Sequence, residues 1–155
     1  QPLIQDNCQL HLELDTPLPP IRIHPVELEN AIVNLLKNSI EALLPTGGRI
    51  TLRAAKVHAA RLPESAVGVQ LSGEPVLRVE IEDTGKGMTT DEAERALEPF
   101  YSTKTTGKGL GLANVFSTIQ KSGGALWFSS NINHGSRFVI WFPIMIDDQT
   151  SYSYG

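Results

Sequence analysis

The sequence predicts an α/β (α+β) two-layer sandwich, with a mixed, mostly antiparallel sheet of about five strands covered on one face by three helices. Three observations predict it. Segments with period-two alternation interleave with segments of helical spacing. Two closing strands, 125–130 and 136–142, are separated only by the turn 131–135, and such hairpins favour a mixed sheet over a parallel one. The chain has 155 residues, 41% of them hydrophobic and 19% charged, which suits a single buried core between two layers.

The run Cys8-Gln9-Leu10-His11-Leu12-Glu13-Leu14 alternates and reads as a first strand with one apolar face, closing at Asp15-Thr16-Pro17. Pro19-Pro20 and Ile21-Arg22-Ile23 then lead to Pro25, which suits the first turn of a helix. From there to Leu44 the spacing is helical, and Leu28, Ile32, Leu35, Leu36, Leu43 and Leu44 form a broad apolar face. The breakers Pro45-Thr46-Gly47-Gly48 end it.

A second strand is expected at about 49–57 and a third at 76–83. The polar, alanine-rich stretch between them contains Pro63, Gly68, Gly73 and Pro75 and reads as an extended hairpin or insertion. Thr89-Thr90-Asp91-Glu92 announces a short helix over 90–97, with a capping hydroxyl followed by acids in the positive first turn. Residues 85–111 have the Gly, Thr and Lys content of a mobile loop; a third helix follows over about 111–121 and stops at Gly123-Gly124. Trp127 and Trp141 fall in the closing strands, where packing on the sheet is their expected role. The domain is placed at 1–147, with 148–155 as a flexible polar tail.

Composition narrows the function classes. The net charge of −4 counts against a general nucleic-acid binder, which needs basic groups against phosphates. No apolar run nears the roughly 20 residues of a spanning helix, and no signal peptide opens the chain, so the domain reads as soluble and cytoplasmic, without direct membrane contact, whatever anchors a longer parent. Cys8 is the sole cysteine, which excludes an internal disulfide; its place in the alternation suits a small core residue.

Three motifs carry chemistry. Asn30, Asn34 and Asn38 sit four residues apart and form one stripe on the long helix, bordered by Glu27, Lys37 and Glu41. A solvated polar face is the ordinary reading of such a stripe, but Asn disfavours helix by about half a kcal/mol relative to Ala. Its amide oxygens also suit Mg²⁺, which shares its shell with waters and phosphates. Asp83-Thr84-Gly85 ends a strand in a glycine turn; its carboxylate could cap that turn or accept from an exocyclic amine of a base. Asp-Thr-Gly is also the triplet of aspartic proteases, which need two such carboxylates, and no second copy is present. Gly107-Lys108-Gly109-Leu110-Gly111 precedes a helix, where backbone N–H groups can meet a phosphate, although its spacing matches neither the Walker nor the dinucleotide pattern.

In order and spacing these segments resemble the N, G1, F and G2 boxes of histidine kinases and the wider Bergerat-fold ATPase superfamily. The N box is similar to 34–42, the G1 box to 83–88, the F box to Glu98-Pro99-Phe100-Tyr101-Ser102-Thr103-Lys104, and the G2 box to 107–112. Gly135-Ser136-Arg137-Phe138 is similar to the closing strand of these domains, so the likeness spans about 20–143. The resemblance implies ATP and Mg²⁺ as ligands, with Asn38 on the metal and Asn34 close to phosphates or metal as the catalytic pair. Asp83 would bind the adenine amine, with Gly85, Gly87 and Met88 shaping the base pocket. Phe100 and Thr103 would belong to a mobile lid, and Gly107, Gly109, Leu110 and Gly111 to the phosphate loop, with Lys104 and Lys108 as candidate phosphate contacts.

Two departures refine this. Gyrase- and mismatch-repair-type ATPases carry a water-activating glutamate where this chain has Asn34, which cannot act as a general base near neutral pH. The resemblance therefore implies phosphoryl transfer ahead of hydrolysis. Glu41 stands where many histidine kinases have a basic residue, as in the nitrogen-regulator and hybrid-kinase branches, so no phosphate contact is expected from it. His11, His24, His58 and His134 lack the His-Glu-x-x-Pro surroundings of a phospho-acceptor. The acceptor is expected on a dimerisation domain before Gln1, and a response-regulator receiver domain is the expected downstream partner. A nucleotide-sensing module without transfer and a hydrolytic ATPase are the alternatives.

Overall fold

The computed structural model describes residues 7–44, 46–58, 62–71, 73–95 and 112–145. Near the centre of its sheet lies β4 (Pro75–Asp83), which turns Leu77, Val79 and Ile81 to the helices and Arg78, Glu80 and Glu82 to the outer face. Among the described residues six strands lie in the order β1-β2-β4-β6-β5-β3, with β1 at Cys8–Leu14, β2 at Gly48–His58, β3 at Val67–Gly68, β5 at Ala125–Asn131 and β6 at Gly135–Pro143. Among these strands β1 and β2 alone pair in parallel, with α1 (Pro25–Leu43) as the crossover between them. The other pairings are antiparallel.

α1 begins where Pro25 leads it to begin, and the Val26 N–H donates to Nδ1 of His24 at 3.2 Å, which makes His24 the helix cap. Leu35 and Leu43 of α1 meet Leu112, Val115 and Ile119 of α3 (Leu112–Lys121) over a sheet face built from Ile50, Val79, Ile81, Phe138, Ile140 and Phe142. α2 (Thr90–Arg95) buries no residue fully and owes its start to a capping box: the Thr89 N–H donates to Glu92 Oε1 at 3.0 Å, and the Glu92 N–H donates to Thr89 Oγ1 at 3.1 Å.

The sixth strand is the main departure from the sequence reading. Residues 62–71 cross the outer face of the sheet, and Val67–Gly68 add β3 beside β5. Two residues are too few for periodicity to reveal. Leu71 of this crossing closes a second apolar cluster with Val76, Ala125, Val139 and Trp141, and the Trp127 Nε1–H donates to Ser65 Oγ at 2.9 Å. Both tryptophans therefore pack on the sheet. Cys8 is buried as expected, but Leu10, Leu12 and Leu14, on the apolar face of edge strand β1, stay 39%, 56% and 44% exposed. The alternation of β1 is real, yet the helices cover the inner strands first.

The rest of the outer face is held by charge. Glu80, whose side chain is 6% exposed, receives Arg53 at 3.2 Å, Arg78 at 2.8 Å and Arg137 at 2.7 Å, and Arg53 also reaches Glu82 and Glu13, both at 2.9 Å. Burial pushes the Glu80 carboxyl up, but the Arg137 and Arg78 hydrogen bonds outweigh it and hold the group below its ordinary 4.5. A depressed folded-state value gives stability that is present above the unfolded value and lost as pH falls toward the folded one. Glu80→Gln should therefore destabilise the domain at pH 7 by about 1–3 kcal/mol in urea denaturation. The gap should close as the wild type is acidified below pH 4.5. Equal midpoints at pH 7 would show the three arginines contribute nothing through Glu80.

Candidate functional site

Asp83 continues the row of β4 side chains that face the helices, after Val79 and Ile81, and is 3% exposed. A carboxylate in a core row needs donors, and its Oδ1 accepts from the Gly85 N–H at 2.8 Å. Burial is the largest influence and pushes the Asp83 carboxyl above its ordinary 3.8, against the Gly85 bond, the neighbouring Ser39 hydroxyl and the Ser136 backbone, which favour the ionised form.

The turn after Asp83 lies flat against two neighbours because it lacks side chains there. A Cβ on Gly85 would stand 2.6 Å from the Ala42 carbonyl oxygen, and the Lys86 N–H donates to that same oxygen at 3.0 Å. Gly87, at φ +69°, is pressed on the Asn131 carbonyl and could carry no Cβ. From the β5–β6 turn the Asn133 N–H donates to the Lys86 carbonyl at 2.7 Å, and Ser130 Oγ accepts from the Met88 N–H at 2.8 Å while lying 2.7 Å from Ser136 Oγ. The loop is thus fixed between α1 and the closing hairpin.

Between them lies a cavity of about 300 Å³ lined by Asn38, Glu41, Ala42, Asp83, Lys86, Gly87, Met88, Glu92, Ser136 and Phe138. Such a volume and its mix of apolar walls and few polar groups suit a small organic ligand. Of the residues singled out in the sequence, Asn38, Asp83, Gly87 and Met88 line it, and Gly85 backs it. Asn34 is half-buried one turn earlier and does not line it; Asn30 is exposed. Phe100, Thr103, Lys104, Gly107, Lys108, Gly109, Leu110 and Gly111 lie outside the described residues, as do the last two residues expected of α2.

Ser136, Phe138, Lys86, Glu92 and Glu41 were not expected to line a site. For Ser136 and Phe138 the signal was present: strand alternation puts them on one face, and the hairpin brings that face beside Asp83, its register partner being Ser136. Among the described residues no group of three or more His, Cys, Asp or Glu could hold a metal ion. The donor set, one amide from Asn38 in a cavity wall, therefore fits a hard cation that brings its remaining oxygens with it.

Residues 23–146 match the family described as histidine kinase-, DNA gyrase B- and HSP90-like ATPases. The chain belongs to this ATPase family. It is 34% identical over 157 residues to the sensor kinase CckA of Brucella abortus (strain 2308), covering 95% of this chain and 16% of the relative. The sensor histidine kinase ZraS of Escherichia coli O157:H7 is 33% identical over 143 residues, 90% of this chain and 28% of the relative. The sensory histidine kinase/phosphatase NtrB of Klebsiella oxytoca is 31% identical over 141 residues, 91% and 38%. This ATPase-family chain thus spans well under half of the curated relatives it matches. The fold matches the nucleotide-free catalytic domain of histidine kinase ThkA with a TM-score of 0.66 at 21% identity, over 89% of this chain and 79% of that one. It matches full-length ShkA in complex with AMPPNP at 0.61 and 21%, over 88% and 26%.

A raised folded-state carboxyl value means the native domain holds the Asp83 proton more tightly than the unfolded chain does, so the ionised group works against folding as pH rises through that window. Asp83→Asn keeps an oxygen for the Gly85 N–H and removes the buried charge. The nucleotide-free ATPase-family domain should then melt a few degrees higher at pH 7, with the gain shrinking toward pH 4 in a calorimetric series. A lower melting point at pH 7 would mean the carboxylate is a net support of the fold.

Proposed function

We propose that this chain is the ATP-binding catalytic domain, residues 1–147 with a short tail, of a two-component sensor histidine kinase. It would transfer the γ-phosphoryl group of ATP to a histidine on the parent's dimerisation domain, from which a response-regulator receiver domain takes it. The observation that carries this reading is that Asn38 of α1 and Asp83 at the end of β4, 45 positions apart in the sequence, line one cavity. Three sequence relatives bear sensor-kinase names, which supports the same reading.

In this reading Asp83 accepts from the exocyclic amine of adenine, a group that guanine lacks at that position. Gly85 and Gly87 shape the base pocket by letting the turn lie flush on Ala42 and Asn131, and Met88 and Phe138 supply apolar walls. Asn38, with Asn34 near the phosphates, would hold Mg²⁺, which when bound neutralises phosphate charge. The family resemblance would add the Gly107, Gly109, Leu110 and Gly111 loop at the phosphates, Lys104 and Lys108 as candidate phosphate contacts, and Phe100 and Thr103 as lid residues, all outside the described residues. Phosphoryl transfer asks a protein for positioning and charge stabilisation more than covalent help. Asn34 offers no base to activate water, which favours transfer over hydrolysis. No helix among the described residues is long and apolar enough to cross a membrane; the cytoplasmic side is proposed from the sensor-kinase names of the relatives.

A thermal-shift titration tests the pocket. Mg-ATP and Mg-ADP should raise the melting temperature, GTP should do little, and Asp83→Asn should lose most of the shift. Equal shifts by all three nucleotides in both proteins would remove Asp83 as the base reader. The reaction is tested by fusing the chain to a histidine-bearing helix pair of a relative and supplying ATP. Acid-labile phosphohistidine should form and should fall by about a hundredfold or more in Asn38→Ala. Phosphate release without phosphohistidine would favour the hydrolytic alternative instead.

A further inference from the structure

Ser39 follows Asn38 on α1, is 1% exposed, and faces the end of β4. A serine within a helix can ordinarily satisfy its hydroxyl on the carbonyl one turn back. Ser39 does not: its Oγ is buried without a hydrogen-bond partner, and no other buried side-chain polar atom among the described residues shares that condition. An orphaned donor in a core is costly, and alanine would fill the same space without it. The hydroxyl neighbours the Asp83 carboxylate and favours its charge without a formed hydrogen bond to it, while Asp83 Oδ1 already takes the Gly85 N–H.

Binding changes the balance at this pair. An entering base strips the remaining water from a carboxylate that burial already disfavours, and a protonated carboxyl would present a hydroxyl to an amine that needs an acceptor. A donor held in reserve on the inner side of Asp83 counters that. We propose that Ser39 is a positioning residue for base recognition, its buried hydroxyl turning to donate to the Asp83 carboxylate when the cavity fills, so that the acid stays ionised and aimed at the base. This rests on the nucleotide reading above. The other charged groups around Asp83 are Glu82 beside it on β4, Glu41 from α1, Lys86 from the glycine turn and Glu92 from α2, and all are unchanged by a substitution at Ser39.

The test uses the whole chain with Ser39→Ala and, as the hydroxyl-retaining control, Ser39→Thr. Mg-ADP affinity is measured by calorimetry from pH 5 to 8, and the Asp83 carboxyl is titrated by ¹³C NMR in the free and nucleotide-bound protein. Ser39→Ala should weaken Mg-ADP roughly three- to thirtyfold. Its affinity should begin to fall at a higher pH than that of the wild type, and the bound-state Asp83 midpoint should move up. Ser39→Thr should restore both. A packing role alone would change the melting temperature and leave the pH profile and the Asp83 midpoint where they were; that result overturns the proposal. If the wild type binds no adenine nucleotide, the functional reading fails by itself, and an unchanged free-state Asp83 titration in Ser39→Ala would then also exclude coupling of the two side chains.

Discussion

A carboxylate placed in a row of core side chains is the constraint around which this end of the molecule is arranged. Asp83 occupies the position that alternation along β4 would give to another valine or isoleucine, and it is nearly as buried as they are. A buried acid disfavours its own charge unless donors are brought to it. The donors here are local: the Gly85 N–H, two residues on, and the Ser136 backbone from the adjoining strand. Their geometry requires the turn to leave β4 sharply and run flush against α1 and the β5–β6 hairpin. Glycine at 85, 87 and 135 is what makes that approach possible, since a Cβ at each would meet a backbone carbonyl.

The two faces of the sheet divide the work. On the helix face, burial is used to leave one polar group under-supported, and a cavity opens beside it. On the outer face, Glu80 is nearly as buried but is surrounded by three arginines, so its value falls where that of Asp83 rises. The same residue class on the same strand, an odd number of positions apart and hence on opposite faces, ends with opposite perturbations. Glu80 stabilises the fold through its charge, whereas Asp83 carries a charge that the fold bears. A buried carboxylate whose charge burial disfavours, set in a cavity wall, is the kind of group that supports the proposed recognition site.

How far this was legible in the sequence follows from the range of the interactions. α1 could be read from Pro25 to within one residue of its end because proline, apolar spacing and the breakers after Leu44 are local signals. The strands β1, β2, β4, β5 and β6 were legible for the same reason. The crossing over 62–71 was not, since its place is decided by Leu71 joining Ala125, Val139 and Trp141 of the closing strands, contacts no window of sequence contains. At the site, Asn38 and Asp83 were visible through their motifs. Ser136 and Phe138 were seen only as part of a closing strand, and their place beside Asp83 comes from the register of β4 with β6. Ser39 was hidden inside a recognised motif, its importance resting on a missing bond that only three-dimensional packing can reveal.

The charges around the cavity argue for the form in which a nucleotide would enter. Asp83, Glu41 and Glu92 line it against a single lysine, Lys86, so its described wall is net negative. A free triphosphate would meet repulsion there, whereas the edge of a purine carrying an amine would be attracted to the acid at its base. In the proposed reading the two ends of the ligand would be treated differently: the base would go inward to Asp83, and the phosphates would lie outward, with their charge offset by a cation and by donors from outside this wall. Asn38 fits the boundary between those zones, because an amide oxygen can bind a hard cation without adding a further negative charge to the three already present. An aspartate in its place would bind the cation more strongly and the anion less, and the neutral side chain is the one that serves both.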